Sequence, residues 1–251
     1  MQRYFIQLAY NGKNYHGWQI QPNANSVQAE LNRAVSLISG EEINLIGAGR
    51  TDTGVHASFF VAHFDLENPL LDTDKFCFKL NSFLPDDIRI DKVFAVVDEM
   101  HARFSPISRT YKYYITQRKE PFLHDFTSFI PQKLDVESMN EAAQKLFNYT
   151  DFTSFSKLHT DVKTNNCLIQ EARWEYDERE LLVFTITADR FLRNMVRAIV
   201  GTLVEVGKGK LSISDFKKII EQKDRGKAGA SARAKGLFLT GIGYEKIDFE
   251  S

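Results

Sequence analysis

Cysteine is nearly absent from this chain: Cys77 and Cys167 are the two in 251 residues, far apart in sequence. They are too few for a disulfide framework and lack the paired spacing a zinc site needs, so both are expected to be buried thiols. Long hydrophobic runs are missing too. No stretch approaches the roughly 18 apolar residues of a membrane span, and the start, MQRYFIQLAY, has neither the apolar core nor the small-residue cleavage site of a signal peptide. The expectation is a soluble cytoplasmic protein with no membrane association. Low-complexity segments and exact repeats are also lacking. What remains is a chain 43% hydrophobic, enough for a sizeable core in one large or two ordinary domains.

Net charge is a further near-absence, at -1, and it conceals an uneven distribution. From Arg190 to Lys235 twelve basic residues face four acidic ones, a local +8, which leaves -9 for the rest of the chain. A run of this kind can be a pair of solvated helix faces. It also suits a phosphate-binding flank, because an anionic polymer needs only a locally basic surface.

Hydrophobic periodicity gives the organisation. Arg3 to Tyr10 alternates as a strand does, and Asn11-Gly12 breaks it. Val27, Leu31, Ala34, Val35 and Ile38 recur at helical spacing, with Asn25 as N-cap and Gly40 as stop. Ile43 to Ile46 reads as a short strand entering a glycine-rich loop, and Ser58 to Phe64 as a strand leaving it. A helix over Asp74 to Leu84 and a strand over Ile88 to Val97 complete the first half. SPISRT, with Pro106, interrupts the pattern before a strand at Tyr111 to Thr116. Then follow a helix over Val136 to Phe147, strands over Leu168 to Tyr176 and Leu181 to Ala188, helices over Leu192 to Val206 and Ser212 to Ile220, and a strand over Phe238 to Tyr244. Strands and helices mix without regular βαβ alternation. That favours an α+β fold of two similar halves, residues 1–105 and 106–251, with largely antiparallel sheets, helices packed on one face and an active-site cleft between the halves.

The glycine-rich loop GAGRTDTGVHA, residues 47 to 57, sets Asp52 between two rigid elements. It lacks the Gly-Lys-Ser/Thr ending of a phosphate-binding loop and does not fit the dinucleotide fingerprint. Asp52, His56 and His63 match no metal-ligand spacing, so no metal site is expected. A plain turn would use Gly47, Gly49 and Gly54 for positive φ and Asp52 for a bond to its own backbone.

The loop resembles the signature of the TruA family of tRNA pseudouridine synthases, Gly/Ala-Gly-Arg-Thr-Asp-x-Gly-Val-His. Further stretches resemble that family in its own order: NYHGWQIQPNANSVQAEL at 14 to 31, SRTYKYYI at 108 to 115, FLRNMVRAIVG at 191 to 201, and KGLFLTGIGY near the end. One departure stands out. Before Gly236 the family usually carries Pro-Ala, where this chain has Arg233-Ala234; the difference bears on the loop path and on RNA contact, not on the chemistry.

The resemblance implies an isomerase that detaches uracil from ribose at nitrogen, turns the base and rejoins it through carbon, at positions 38, 39 and 40 of the tRNA anticodon arm. It makes Asp52 the catalytic carboxylate and Arg197 its cationic partner, which would keep the acid charged. It also makes Tyr111 the ring that stacks on the target base, and Arg50 a group that holds RNA or helps displace the nucleotide. Whether the carboxylate attacks the sugar, adds to the base or removes a ribose proton stays open at this level. No cofactor is implied, and a homodimer is. His56 reads as structural. The competing reading is a tRNA-binding or RNA-chaperone protein that keeps the fold without the chemistry.

Overall fold

The computed structural model describes residues 1–157, 164–245, 247 and 249. Among the described residues nine strands and five α-helices fall into two compact units, residues 1–107 with 239–251 and residues 108–238. The second half drawn from the sequence, 106–251, therefore differs at its end, because the chain from Leu239 onward belongs with the first unit.

In the first unit β1 (Gln2–Tyr10) pairs antiparallel with both β3 (His56–Leu66) and β4 (Ile88–Val96). Phe5, Ile6 and Leu8 of β1 and Phe60, Val61 and Ala62 of β3 are fully buried, so the long strands form the centre of this core. Helix α1 (Val27–Ser39) packs on α2 (Thr73–Phe83), which packs on β4. The cap of α1 is Ser26, not the Asn25 expected: the Ser26 side chain accepts the Ala29 amide at 3.3 Å, while Gly40 ends the helix at φ 78°. The strand expected over Ile43 to Ile46 shrinks to β2 (Ile46–Gly47). The reason is local: Ile43 N–H donates to Ser36 Oγ at 2.8 Å and Leu45 N–H to Asn32 Oδ1 at 2.9 Å, so side chains of α1 take the donors a strand partner would use.

In the second unit β5 (Pro106–Thr116) pairs antiparallel with β8 (Leu182–Ala188), which pairs antiparallel with β7 (Ile169–Tyr176), while β6 (Ser128–Phe129) runs parallel beside the end of β5. Pro106 opens β5 where an interruption was expected; the first position of a strand tolerates a residue without a backbone donor. Helix α3 (Val136–Gln144) tightens into a 3-10 turn and packs on β7 and α4 (Met195–Gly207). Helix α4 starts three residues later than its apolar pattern suggests because Asn194 is left-handed, at φ 66°. Helix α5 (Ile213–Gln222) opens with a Ser212/Asp215 capping box and covers α3 and α4, and β9 (Leu237–Tyr244) follows. The architecture is thus α+β with mainly antiparallel strand pairing. No helix among the described residues is long and apolar enough to cross a membrane.

Two side-chain expectations are refined. Cys167 is buried and its thiol is pushed up to about 12 by burial, but Cys77 is partly exposed, with Sγ donating to the Ile90 carbonyl at 3.5 Å. His63, 2% exposed, accepts the Ala102 amide through Nδ1 at 3.1 Å, which holds the ring in one neutral tautomer. Burial first, then the neighbouring His101 and Arg3, press its pKa from 6.5 down to about 4. The unfolded chain therefore binds a proton that the folded chain refuses between those values. Stability should be undiminished by this group above pH 6.5 and should fall by on the order of 3 kcal/mol as pH drops toward 4. Urea titrations of wild type and His63→Gln across that range should show a smaller pH slope in the variant.

Candidate active site

The aspartate loop leaves β2 and enters β3, which are themselves paired through Ile46 with His63 and Gly47 with Ala62. Thr51 fastens it. Its side chain is 9% exposed, lies 2.9 Å from the Tyr10 hydroxyl and accepts the Trp18 amide at 3.1 Å. On either side of this inward residue, Asp52 is half-buried and Arg50 exposed. The Asp52 carbonyl accepts the Val55 amide at 3.1 Å, closing a tight turn, and Gly54 donates to the Tyr15 carbonyl at 3.2 Å. The Asp52 side chain consequently projects from a segment whose backbone is tied at both ends, while retaining access to solvent. Arg50 Nε donates to Gln19 Oε1.

The glycines do not act as a plain turn would require. Gly54 alone of the three has positive φ, 75°. Gly47 is there for close approach, since a Cβ would stand 2.4 Å from the Trp18 indole, and a Cβ on Gly49 would meet nothing within 4 Å. His56 is 1% exposed and its Nδ1 accepts the Gly12 amide at 3.0 Å, which is the structural role expected of it.

Tyr10, Trp18 and Thr51 were not singled out from the sequence as loop supports. The signal was present in GWQ and RTD but distributed: Trp18 stacks on Phe60 at 4.2 Å, and Gly17 lies so close that a Cβ would be 2.2 Å from the Thr51 carbonyl oxygen. Thr51→Val should cost about 1–3 kcal/mol, because the Trp18 amide is left buried without its acceptor and the Tyr10 hydroxyl loses its bond to Thr51. Chemical denaturation checks the loss, and thermal melting of Thr51→Ser should stay near wild type.

The second unit carries the other two residues. Tyr111 sits opposite Ile186 in the β5–β8 pair and shares a strand face with Tyr113 and Ile115. Those two are buried, whereas Tyr111 is half-buried with its ring edge-on to Phe191 at 5.2 Å. It is not a filled core position.

Arg197 is half-buried on the first turn of α4, a helix that buries ten of its thirteen residues. Its Nε donates to the Ala232 carbonyl at 2.7 Å, and its own carbonyl accepts the Ala232 amide at 2.9 Å. Ala232 ends a strap laid along α4. Gly229 N–H donates to Thr202 Oγ1 at 3.0 Å, Asn194 donates to Ser231 Oγ at 2.7 Å, and a Cβ on Gly201 would stand 1.9 Å from the Ala230 carbonyl oxygen. Within the basic run the structure separates two groups. Lys208 and Lys210 pair with Glu205, Lys218 with Asp215 and Lys223 with Asp151. Arg225 is spent on the strap, reaching Gly229 and Ser231.

No group of three or more His, Cys, Asp or Glu side chains among the described residues is placed to hold a metal ion. A half-buried aspartate on a braced loop, with a half-exposed tyrosine on a strand and a half-buried arginine on a helix elsewhere in an α+β chain, is a set of groups suited to an enzyme that acts on a nucleic-acid base. Comparison with known proteins makes that specific. The chain matches the tRNA pseudouridine synthase profile over residues 7–105 and 142–245, and it belongs to that family, whose members are isomerases forming pseudouridine in tRNA. It is 58% identical over 250 residues to the tRNA pseudouridine synthase A of Bacteroides fragilis, covering 100% of this chain and 99% of that protein. It is 57% identical over 244 residues to the protein of the same name from Parabacteroides distasonis, covering 97% and 96%. With the Exiguobacterium protein of that name the identity is 37% over 250 residues, covering 99% and 100%.

Proposed function

We propose that this chain converts uridine to pseudouridine in the anticodon arm of tRNA, in the cytoplasm and as a homodimer, with Asp52 as the catalytic carboxylate. The observation that supports this most is the bracing of Asp52. Its backbone is fixed through Thr51 and the turn to Val55, yet the residue is not buried as Thr51 is, which suits a group that must meet an RNA ligand.

The reaction breaks the bond between ribose C1′ and uracil N1 and forms one between C1′ and C5. The hydrogen on C5 leaves to solvent and N1 gains a proton, so no electrons enter or leave. Attack on the sugar, addition to the base and removal of a ribose proton all require an ionised carboxylate at the glycosidic junction, with water kept from the detached base. Tyr111, half-exposed on its strand, offers a face on which the target base stacks. Arg197 supplies positive charge to the reacting centre, and its Nε–Ala232 bond fixes the direction of its guanidinium. Arg50, exposed beside Asp52, contacts RNA and helps hold the nucleotide out of its stem, a displacement that costs about a few kcal/mol of stacking.

Mapping pseudouridine in an unmodified tRNA after incubation with the protein, by carbodiimide adducts and primer extension, tests the assignment. Stops confined to the anticodon arm are expected. Stops elsewhere, or none, would overturn it.

A further inference from the structure

The departure at Arg233 has a structural setting of its own. Arg233 adopts φ -61° and ψ 139°, the φ that a proline ring imposes, so the loop needs no rearrangement to accommodate arginine there. Its backbone is pinned. The Tyr113 hydroxyl donates to the Arg233 carbonyl at 2.9 Å, and a Cβ on Gly236 would stand 2.9 Å from the Tyr113 ring and from the Tyr114 carbonyl oxygen. The preceding residue, Ala232, is the one that Arg197 grips through both its side chain and its main chain. Arg197 and Arg233 are thereby fixed to adjacent residues of one strap, and both cations pull the Tyr113 hydroxyl down against the stronger upward effect of burial.

The Arg233 side chain is exposed, and among the described residues nothing holds its guanidinium. An exposed arginine is ordinarily just solvated. This one stands on a pinned backbone, one residue after the Ala232 that anchors Arg197, and the charges of both arginines reach the Tyr113 hydroxyl, so the strap carries a local positive potential that an anion would meet. The planar fork of an arginine suits a phosphate in particular.

We propose that Arg233 is a substrate-positioning residue that binds a backbone phosphate of the RNA beside the nucleotide served by Arg197. The inference rests on the functional reading above. It deepens that reading by assigning a phosphate contact to a residue outside the aspartate loop and helix α4. Arg233 touches no reacting atom, so its contribution falls on binding rather than on turnover.

The test compares wild type with Arg233→Pro, which keeps the backbone angle, Arg233→Gln and Arg233→Lys on an anticodon-arm transcript, measuring kcat, KM and affinity from low to physiological salt. Pro and Gln should raise KM and Kd about five- to tenfold with kcat within about twofold, and should lower the log–log salt slope by about one contact. Lys should restore most of the slope. A KM and slope unchanged in both Pro and Gln would overturn the inference while leaving the functional reading intact. So would a loss that depends on base sequence, since a phosphate contact weakens binding uniformly. Absence of both turnover and binding in wild type would overturn the functional reading and this inference with it. Thermal melts of the four proteins should coincide within a few degrees; if the loss of binding tracked a loss of folding instead, with Lys failing as Gln does, the phosphate contact would be refuted.

Discussion

Asp52→Asn should lower pseudouridine formation by at least about a thousandfold while tRNA affinity stays near that of wild type. Asparagine keeps the size of the side chain and can neither carry the negative charge nor act as nucleophile or base. The loop should survive the change, because what fixes it lies in the neighbours. Thr51 bonds Tyr10 and Trp18, and the backbone carbonyl of residue 52, which asparagine keeps, closes the turn. RNA affinity should survive too, since affinity for nucleic acid is generally dominated by phosphate contacts, to which a carboxylate contributes nothing. Stopped single-turnover assays with enzyme in excess, paired with filter binding on the same preparations, separate the two effects. A variant that turns over within tenfold of wild type would remove Asp52 from the chemistry.

The second large effect concerns the strap over α4. In an ordinary helix Gly→Ala gains about 1 kcal/mol from backbone entropy and helix propensity. At Gly201 the added methyl would lie 1.9 Å from the Ala230 carbonyl oxygen, a backbone atom that cannot swing aside as a flexible side chain can. Overpacking costs about 1–3 kcal/mol or more, and a backbone clash this short belongs at the upper end, so it outweighs the propensity gain. Gly201→Ala is expected to lower stability by about 2 kcal/mol net and to push the strap off the helix. Arg197 would lose its Ala232 anchor in the process, so kcat should fall as well as the urea midpoint. Gly40→Ala, where a Cβ would meet nothing within 4 Å, provides the contrast: its penalty comes from the left-handed φ of 78° alone, and it should leave turnover of the folded protein unchanged.

These effects show where the sequence is informative and where it is not. Helix α1 was readable because its cues are local: apolar residues at helical spacing and a glycine at the end. The neighbouring Ile43 to Leu45 stretch has strand-like residues yet forms no strand, because Ser36 and Asn32 on the packed helix capture its amides. That outcome depends on tertiary placement that no single window of sequence contains. The same applies to α4, whose apolar pattern begins at Leu192 although the left-handed Asn194 delays the helix.

At the site, the motif resemblance located the aspartate loop, but the uses of its glycines were not legible. One serves a positive φ, one lets an indole approach, and one shows neither need. The strap at 228 to 232 is least legible of all. AGASA is a bland run of small residues, and its purpose emerges only when α4 lies beneath it with Gly201 and Thr202 leaving room.

The most direct measurement of the central claim is tritium release from an anticodon-arm transcript whose uridines carry the label at C5, using wild-type protein with a chelator present and no cofactor added. We expect release, approaching one tritium per modified uridine, with pseudouridine in the digested product. A transcript that binds the protein and keeps all of its label would contradict the account.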